Sequence, residues 1–351
     1  MNHAEWVAFL ENKGLLLEER QGEMHLGKNT GFTDNSALST IVPLTHQGML
    51  CVEGKDSEKF LQGQLSCDVT AVSEQLSCLG TACSPQGRAY SSFRIIRIPG
   101  SEPGDFLLRM RDNITEQTLT TLSKYIVFFK SEICNANNRY VGIGLFGQNS
   151  ESLIKKLFGQ IPQDDNAVVF AEETIVIRVP GSCPRFECWS SPQQAQDNWQ
   201  KLAANATVGN SDDWLHEDIK AGLGEVSLAT SDRFIPQMLN LQAVGAVSFD
   251  KGCYTGQEIV ARTQHRGKSK RFMTRILVTG APRRLDAGTD LANPQTGKNI
   301  ATVVSAASTS EDTQQALVVI LEDSAQDIQE VSLQQARFRI ERQTLPYSLQ
   351  T

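Results

Sequence analysis

The residues best equipped for chemistry in this chain run consecutively: Lys251-Gly-Cys-Tyr-Thr-Gly-Gln-Glu-Ile-Val-Ala-Arg262. Cys253 is flanked by Gly252 and Tyr254 and followed by Gly256, Gln257 and Glu258. Thr255 and Glu258 have the Thr-x-x-Glu spacing of a capping box, which predicts a helix starting near Gly256 and places Cys253 just ahead of it. Unpaired N–H groups and the helix dipole favour an anion at such a position, and Lys251 lies two residues away. Both effects lower a thiol's pKa, and the thiolate is the form that attacks electrophiles or binds metal. The same residues also suit a tight turn around a small buried cysteine, the commoner fate of a lone thiol.

The elements that must position this segment are spread over 351 residues, more than one hydrophobic core usually spans, so two or three domains are expected. Composition is that of an ordinary globular chain, 40% hydrophobic and 21% charged. No apolar run approaches the ~18–20 residues of a membrane helix, and the first residues lack a signal-peptide layout, so a cytoplasmic protein without a membrane partner is expected. The eight cysteines are scattered without a Cys-x-x-Cys pair, which predicts reduced thiols and no metal site encoded by spacing. A net charge of −7 argues against a protein that coats nucleic acid. The charge is uneven, however: Ile259 to Leu285 contains no acidic residue but carries Arg262, Arg266, Lys268, Lys270, Arg271, Arg275, Arg283 and Arg284. This island is either a solvated turn between domains or a surface for a polyanion such as tRNA or a carboxylate ligand.

Periodicity predicts weak helix over 5–18, loop over 26–45, and a helix capped by Asp56 and running to Leu65. Strands are expected at 49–53, 76–83, 89–98, 105–110, 139–146, 166–170 and 173–179, with Pro85-Gln86-Gly87 as a turn. Helices are expected at 114–128, 150–158, 192–205 and 211–221. Mixed order of this kind indicates an α+β core. Beyond residue 271 short strand-like stretches at 271–279, 299–306, 316–321 and 336–341 indicate a small antiparallel barrel or sandwich, with a boundary near 266–271.

Dinucleotide, phosphate-loop, nucleophile-elbow and His-Glu-x-x-His motifs are absent, which removes the ordinary dehydrogenase, NTPase, hydrolase and zinc-protease readings. His265, twelve residues after Cys253, is separated from it by the expected helix and makes a weak catalytic partner.

The stretch from Phe234-Ile-Pro-Gln-Met-Leu-Asn-Leu241 through Lys251-Gly-Cys-Tyr-Thr-Gly-Gln-Glu258 to Arg262 resembles the signature of the YgfZ family. That family comprises folate-binding proteins linked to tRNA modification and related to the T-protein (aminomethyltransferase) of the glycine cleavage system. Gly54 to Gln64, Lys124-Tyr125, Trp214 before Ala221-Gly222, and Leu345-Pro-Tyr-Ser-Leu349 extend the resemblance from about residue 45 to the C-terminal end. It implies an α+β ring of three domains: two discontinuous subdomains, one of them ferredoxin-like, intertwined in a folate-binding region over 46–268, and a C-terminal antiparallel β-barrel over 269–351; residues 1–45 stand before it as an N-terminal extension. It implies tetrahydrofolate or a related folate as ligand, with Trp214 stacking on it. A second family tryptophan would fall where this chain has Gln47-Gly48. The transferase's carboxylate after the second-to-third strand turn is also missing, the neighbourhood being Ser91 and Ser92.

The function these residues imply is that of a folate-dependent accessory protein for iron–sulfur enzymes, including those that modify tRNA. Cys253 would be its reactive thiol, Lys251 and Arg262 would support the anion, and Gly252, Tyr254, Gly256, Gln257 and Glu258 would shape the turn. The alternatives are a true aminomethyl (one-carbon) transferase, and direct tRNA binding through the basic stretch 262–284. Whether the protein is an enzyme at all stays open on these residues.

Overall fold

The computed structural model describes residues 3–27, 38–101, 104–266, 269–322 and 329–349. The chain divides into two compact units: Met1–Leu61, Val69–Cys78 and Phe93–Trp214 in the first, and Gln62–Asp68, Leu79–Ser92 and Leu215–Thr351 in the second.

In the first unit a mixed sheet takes the order Val168–Ala171, Thr174–Arg178, Arg185–Ser190, Val141–Phe146, Thr40–Pro43, Thr207–Val208. Its logic is legible in Val141-Gly-Ile-Gly-Leu-Phe146. Side chains alternate across a strand, so Val141, Ile143 and Leu145 enter one core with Trp6, Leu10, Ile154, Phe158 and Trp199. The opposite face carries Gly142 and Gly144, where a Cβ would lie 2.6 Å from the Trp189 ring and 2.5 Å from the Trp214 ring. The missing side chains make room for two indoles. The helices His3–Asn12, Ser150–Phe158 and Pro192–Ala203 supply the apolar side chains that cover the first face. Residues 1–45 therefore contribute Trp6 and Leu10 to the principal core of this unit.

A five-stranded sheet has the order Cys78–Cys83, Ala89–Arg97, Phe106–Arg111, Gln47–Glu53, Glu132–Asn135, with its first two strands running across the division of the chain. The helix Thr115–Ile126 accompanies it.

The second unit ends in a closed six-stranded antiparallel barrel of order Arg271–Thr279, Thr313–Leu321, Asn299–Ser308, Asp290–Ala292, Glu330–Leu333, Ala336–Gln343. Ile276, Val278, Val303, Val318, Val331, Phe338 and Ile340 fill its interior, as alternation along each strand requires.

Several expected elements differ. The first helix stops at Asn12, where Gly14 follows at φ +78°, and Leu17–Arg20 pairs with Glu23–Leu26 in a hairpin. Its turn, Gln21-Gly22, has both residues at positive φ, the geometry that matches strand twist. Thr40–Pro43, expected as loop, is a strand paired with Val141–Phe146. Of the segment 26–45, residues 28–37 lie outside the described residues. The strands Glu132–Asn135, Arg185–Ser190, Asp290–Ala292 and Glu330–Leu333 carry charged or polar residues that masked their period. Among the described residues no helix is long and apolar enough to cross a membrane.

Candidate functional site

The cysteine loop is built on three supports, all in the second unit. The first is Lys251. Its ammonium donates to the carbonyl oxygens of Gln62 at 2.7 Å, Leu65 at 2.8 Å and Cys67 at 2.7 Å, and to Gln62 Oε1 at 3.2 Å. These oxygens belong to the end of the helix Ser57–Gln64 and the residues after it, where carbonyls lack helical partners and a cation is favoured. Lys251 thus anchors the loop through charge-assisted bonds.

The second support is the hairpin turn 84–87. Gly87 N–H donates to Ser84 O at 2.8 Å, closing the turn. The loop presses directly against it: a Cβ on Gly256, which sits at φ +83°, would lie 2.5 Å from Ser84 O and 3.0 Å from Cys83 Cβ. One on Gly87, at φ +72°, would lie 2.6 Å from Ile259 Cβ. Two glycines face one another here because neither backbone could approach otherwise.

The third support is the segment that precedes the loop. Gln237 Nε2 donates to Val260 O at 2.7 Å. Asn240, at φ +55°, donates to Met273 O at 2.8 Å and accepts from Met273 N–H at 3.2 Å, tying the segment to the first barrel strand. These polar members of the signature brace backbone.

The helix after the loop spans Gln257–Arg266, one residue later than the capping-box spacing suggests. Val260 N–H donates to Gly256 O at 3.4 Å, and the Thr255 hydroxyl reaches Gln64 Oε1 at 3.4 Å. Tyr254 is buried below the loop with the Lys251 ammonium 5.4 Å from its ring centroid, and its hydroxyl has no hydrogen-bond partner among the described residues. Burial pushes its phenol pKa upward, with Cys83 and Cys67 adding to the effect.

Cys253 is the exposed one among the eight cysteines. Gly252 beside it is exposed and an added Cβ would meet nothing within 4 Å. Glu258 and Arg262 are also exposed, Arg262 about 7.5 Å along the helix axis from Gln257 at 1.5 Å rise per residue. Cys67 and Cys83 are buried, and desolvation pushes the Cys83 thiol up to about 12. The arrangement displays one thiol on a rigid, anchored loop and keeps the neighbouring Cys83 thiol protonated. The side chains of His265 and Arg266, and Lys268, lie outside the described residues.

Ser91 and Ser92, at the place of the transferase's carboxylate, are buried, and the Ser92 hydroxyl accepts from Val226 N–H at 2.8 Å. Of the basic island, Arg283 pairs with Asp286 at 3.1 Å and Arg284 donates to Ala306 O at 3.0 Å, while Lys270 is exposed.

Trp214 is the last residue of the first unit and is 1% exposed. The Arg185 guanidinium lies 4.3 Å from its ring centroid and Phe146 meets it edge-on at 6.2 Å. The indole is a core side chain here. Nor does the Gln47-Gly48 position leave room for an aromatic: a Cβ at Gly48 would lie 2.4 Å from Thr115 Oγ1, and Gln47 Oε1 accepts from Arg109 at 3.2 Å.

Sequence reasoning missed a buried ionic set in this unit. Glu187 accepts from Arg109 at 3.0 Å and from Trp189 Nε1 at 2.9 Å. Burial opposes ionisation of Glu187, but Arg109 and Arg94 overcome it and hold its pKa below the usual carboxylate range. Burial pushes Arg94 down to about 10. The same unit holds a second set: Glu23 bonds both Arg111 and His25, and the His25 and His46 rings stack at 5.4 Å. The signal available was Arg-x-Glu-x-Trp in 185–189 beside Arg109-x-Arg111, charges on alternate positions of otherwise apolar strands.

The architecture is that of the glycine cleavage T-protein, a mixed α+β fold closed by a six-stranded antiparallel barrel. The crystal structure of the glycine cleavage system aminomethyltransferase T from Bartonella henselae matches with a TM-score of 0.73 over 97% of this chain and 96% of that one, at 15% identity. A heterotetrameric sarcosine oxidase from Corynebacterium is more distant, with a TM-score of 0.38 and 11% identity over 58% of this chain and 93% of that one. No family model matches the chain.

Proposed function

We propose that this protein is a tetrahydrofolate-binding accessory protein of the YgfZ type, supporting iron–sulfur enzymes and through them tRNA modification, with Cys253 as its working thiol. The observation that carries this reading is the exposure of Cys253 on an anchored loop, while the other cysteines are buried or half-buried. A thiol held out on rigid backbone suits attack, ligation or recognition by a client better than packing.

The T-protein-like fold supports folate as the ligand class. The residues here fit a stacking role for Trp214 poorly, since Arg185 covers its face. Folate therefore enters this reading as a bound ligand, and no step is assigned to it. Against transferase chemistry stand the buried hydroxyls of Ser91 and Ser92, which supply no charge for a developing cation. Against direct tRNA binding stand the internal pairings of Arg283 and Arg284.

The test combines calorimetric titration with tetrahydrofolate and complementation of a deletion strain. Cys253→Ala should bind folate as the parent does and fail to restore tRNA thiolation. Full restoration by Cys253→Ala would remove the thiol from the function, and absence of folate binding in the parent would remove the ligand.

A further inference from the structure

We propose that Cys51 and Cys134 form a redox-active pair, a modification site at which a peroxide closes a reversible disulfide between two strands of the first unit. In the antiparallel pairing of Gln47–Glu53 with Glu132–Asn135, Cys51 stands directly opposite Cys134. Ala136 N–H donates to Met49 O at 2.8 Å, which marks that position as a hydrogen-bonded pair. The period of two makes Cys51 and Cys134 a hydrogen-bonded pair as well, with Cα atoms about 5.5 Å apart. Disulfides span roughly 4.4–6.8 Å between Cα atoms but only about 3.5–4.5 Å between Cβ atoms, and the Cβ atoms of a hydrogen-bonded pair lie near the ~5.5 Å end of the cross-strand range, so the short edge strand must shift inward by about 1 Å to close the bond. Opposed side chains project to one face, and both thiols adjoin the same apolar cluster.

The two thiols differ in a way that orders the reaction. Cys134 is half-buried, whereas Cys51 is 0% exposed. Glu53, two residues along the same strand, is paired with Arg139 at 2.8 Å. Burial, with the Glu53 charge adding to it, pushes the Cys51 thiol well up and Arg139 offsets only part of this, so Cys51 stays a thiol until the sulfenic acid forms opposite it. The Cys134 thiolate attacks one peroxide oxygen. The O–O bond breaks, hydroxide leaves, and the sulfur becomes a sulfenic acid while the peroxide is reduced. Cys51 then attacks that sulfur, the S–O bond breaks, and hydroxide leaves with the proton Cys51 gives up. Two thiols and one peroxide become one disulfide and two waters. Glu132–Asn135 is an edge strand of four residues, so the bond would staple the sheet at an open edge.

The experiment treats full-length Cys253→Ser protein with stoichiometric hydrogen peroxide, blocks residual thiols with N-ethylmaleimide, and maps non-reduced peptides by mass spectrometry. A Cys51–Cys134 cross-linked peptide that disappears with dithiothreitol is expected, together with a raised thermal midpoint before reduction. In Cys134→Ser, Cys51 should stay reduced under the same dose. Recovery of Cys134 as sulfinic acid or linked to Cys183, or of both thiols alkylated, would overturn the proposal.

Discussion

The Lys251 ammonium lies 2.7 Å from the carbonyl oxygen of Cys67, a residue 184 positions earlier in the chain. With Gln62 and Leu65 as further acceptors, one charged side chain closes the end of one helix and fixes the approach to the next.

Removing that charge should loosen the loop. Lys251→Met leaves three carbonyl oxygens without this donor, and hydrogen bonds to charged groups are worth about 1.5–3 kcal/mol each before solvent replaces them. We expect about 2–3 kcal/mol lost in urea unfolding, with hydrogen-exchange protection lost first at 251–256. Unchanged stability would show that the ammonium's contacts are incidental.

Two glycines of the motif should separate cleanly. Gly256→Ala places a Cβ 2.5 Å from Ser84 O at φ +83° and should cost about 2–4 kcal/mol through backbone strain and displacement of the turn. Gly252→Ala meets open space and should stay within about 0.5 kcal/mol of the parent. Equal effects of the two, measured by thermal unfolding, would contradict this packing.

Thiol exposure is directly countable. With Ellman's reagent the native protein should release one equivalent rapidly, from Cys253, since the other cysteines are buried or half-buried. Cys253→Ala should abolish that phase and leave the slow ones. A fast phase surviving in the variant would assign it to Cys78, Cys134 or Cys183.

Acid should weaken the first unit in two stages. His46 and His25 have folded pKa values below their ordinary 6.5, chiefly from burial, so the unfolded chain binds their protons first and stability falls as pH drops below about 6.5. Glu23 and Glu187 have folded values below 4.5 because Arg111 and Arg109 overcome desolvation, so their contribution is present above 4.5 and is lost on further acidification. Urea midpoints followed from neutral pH down through the carboxylate range should show both falls, and His46→Gln should flatten the first.

The Arg109–Glu187 pair should behave as buried pairs do. Glu187→Leu alone strands a guanidinium that is 3.0 Å from its partner and should cost about 3–5 kcal/mol. Adding Arg109→Met should recover much of it. A double variant as unstable as the sum of the singles would argue that the two side chains are not coupled.

What consecutive residues could decide was readable in sequence. The loop-then-helix character of 251–266 follows from glycines and a helix start within a few residues, and the barrel from alternation along each strand. The resemblance of the same motif pointed to the T-protein architecture. Tertiary structure decided what those residues touch. Lys251 reads as a counter-ion for a thiol two residues away, yet its acceptors come from 184 to 189 residues earlier. The resemblance makes Trp214 a stacking platform for folate, yet here the indole packs in the core against Gly144, where a Cβ would lie 2.5 Å from its ring. Glu187 is singled out by no local spacing, and its partner Arg109 comes from a strand 78 residues away. Local spacing sets backbone conformation because its forces act within a turn or two. The partners of long polar side chains are set by packing between distant segments, and a linear pattern carries no record of them.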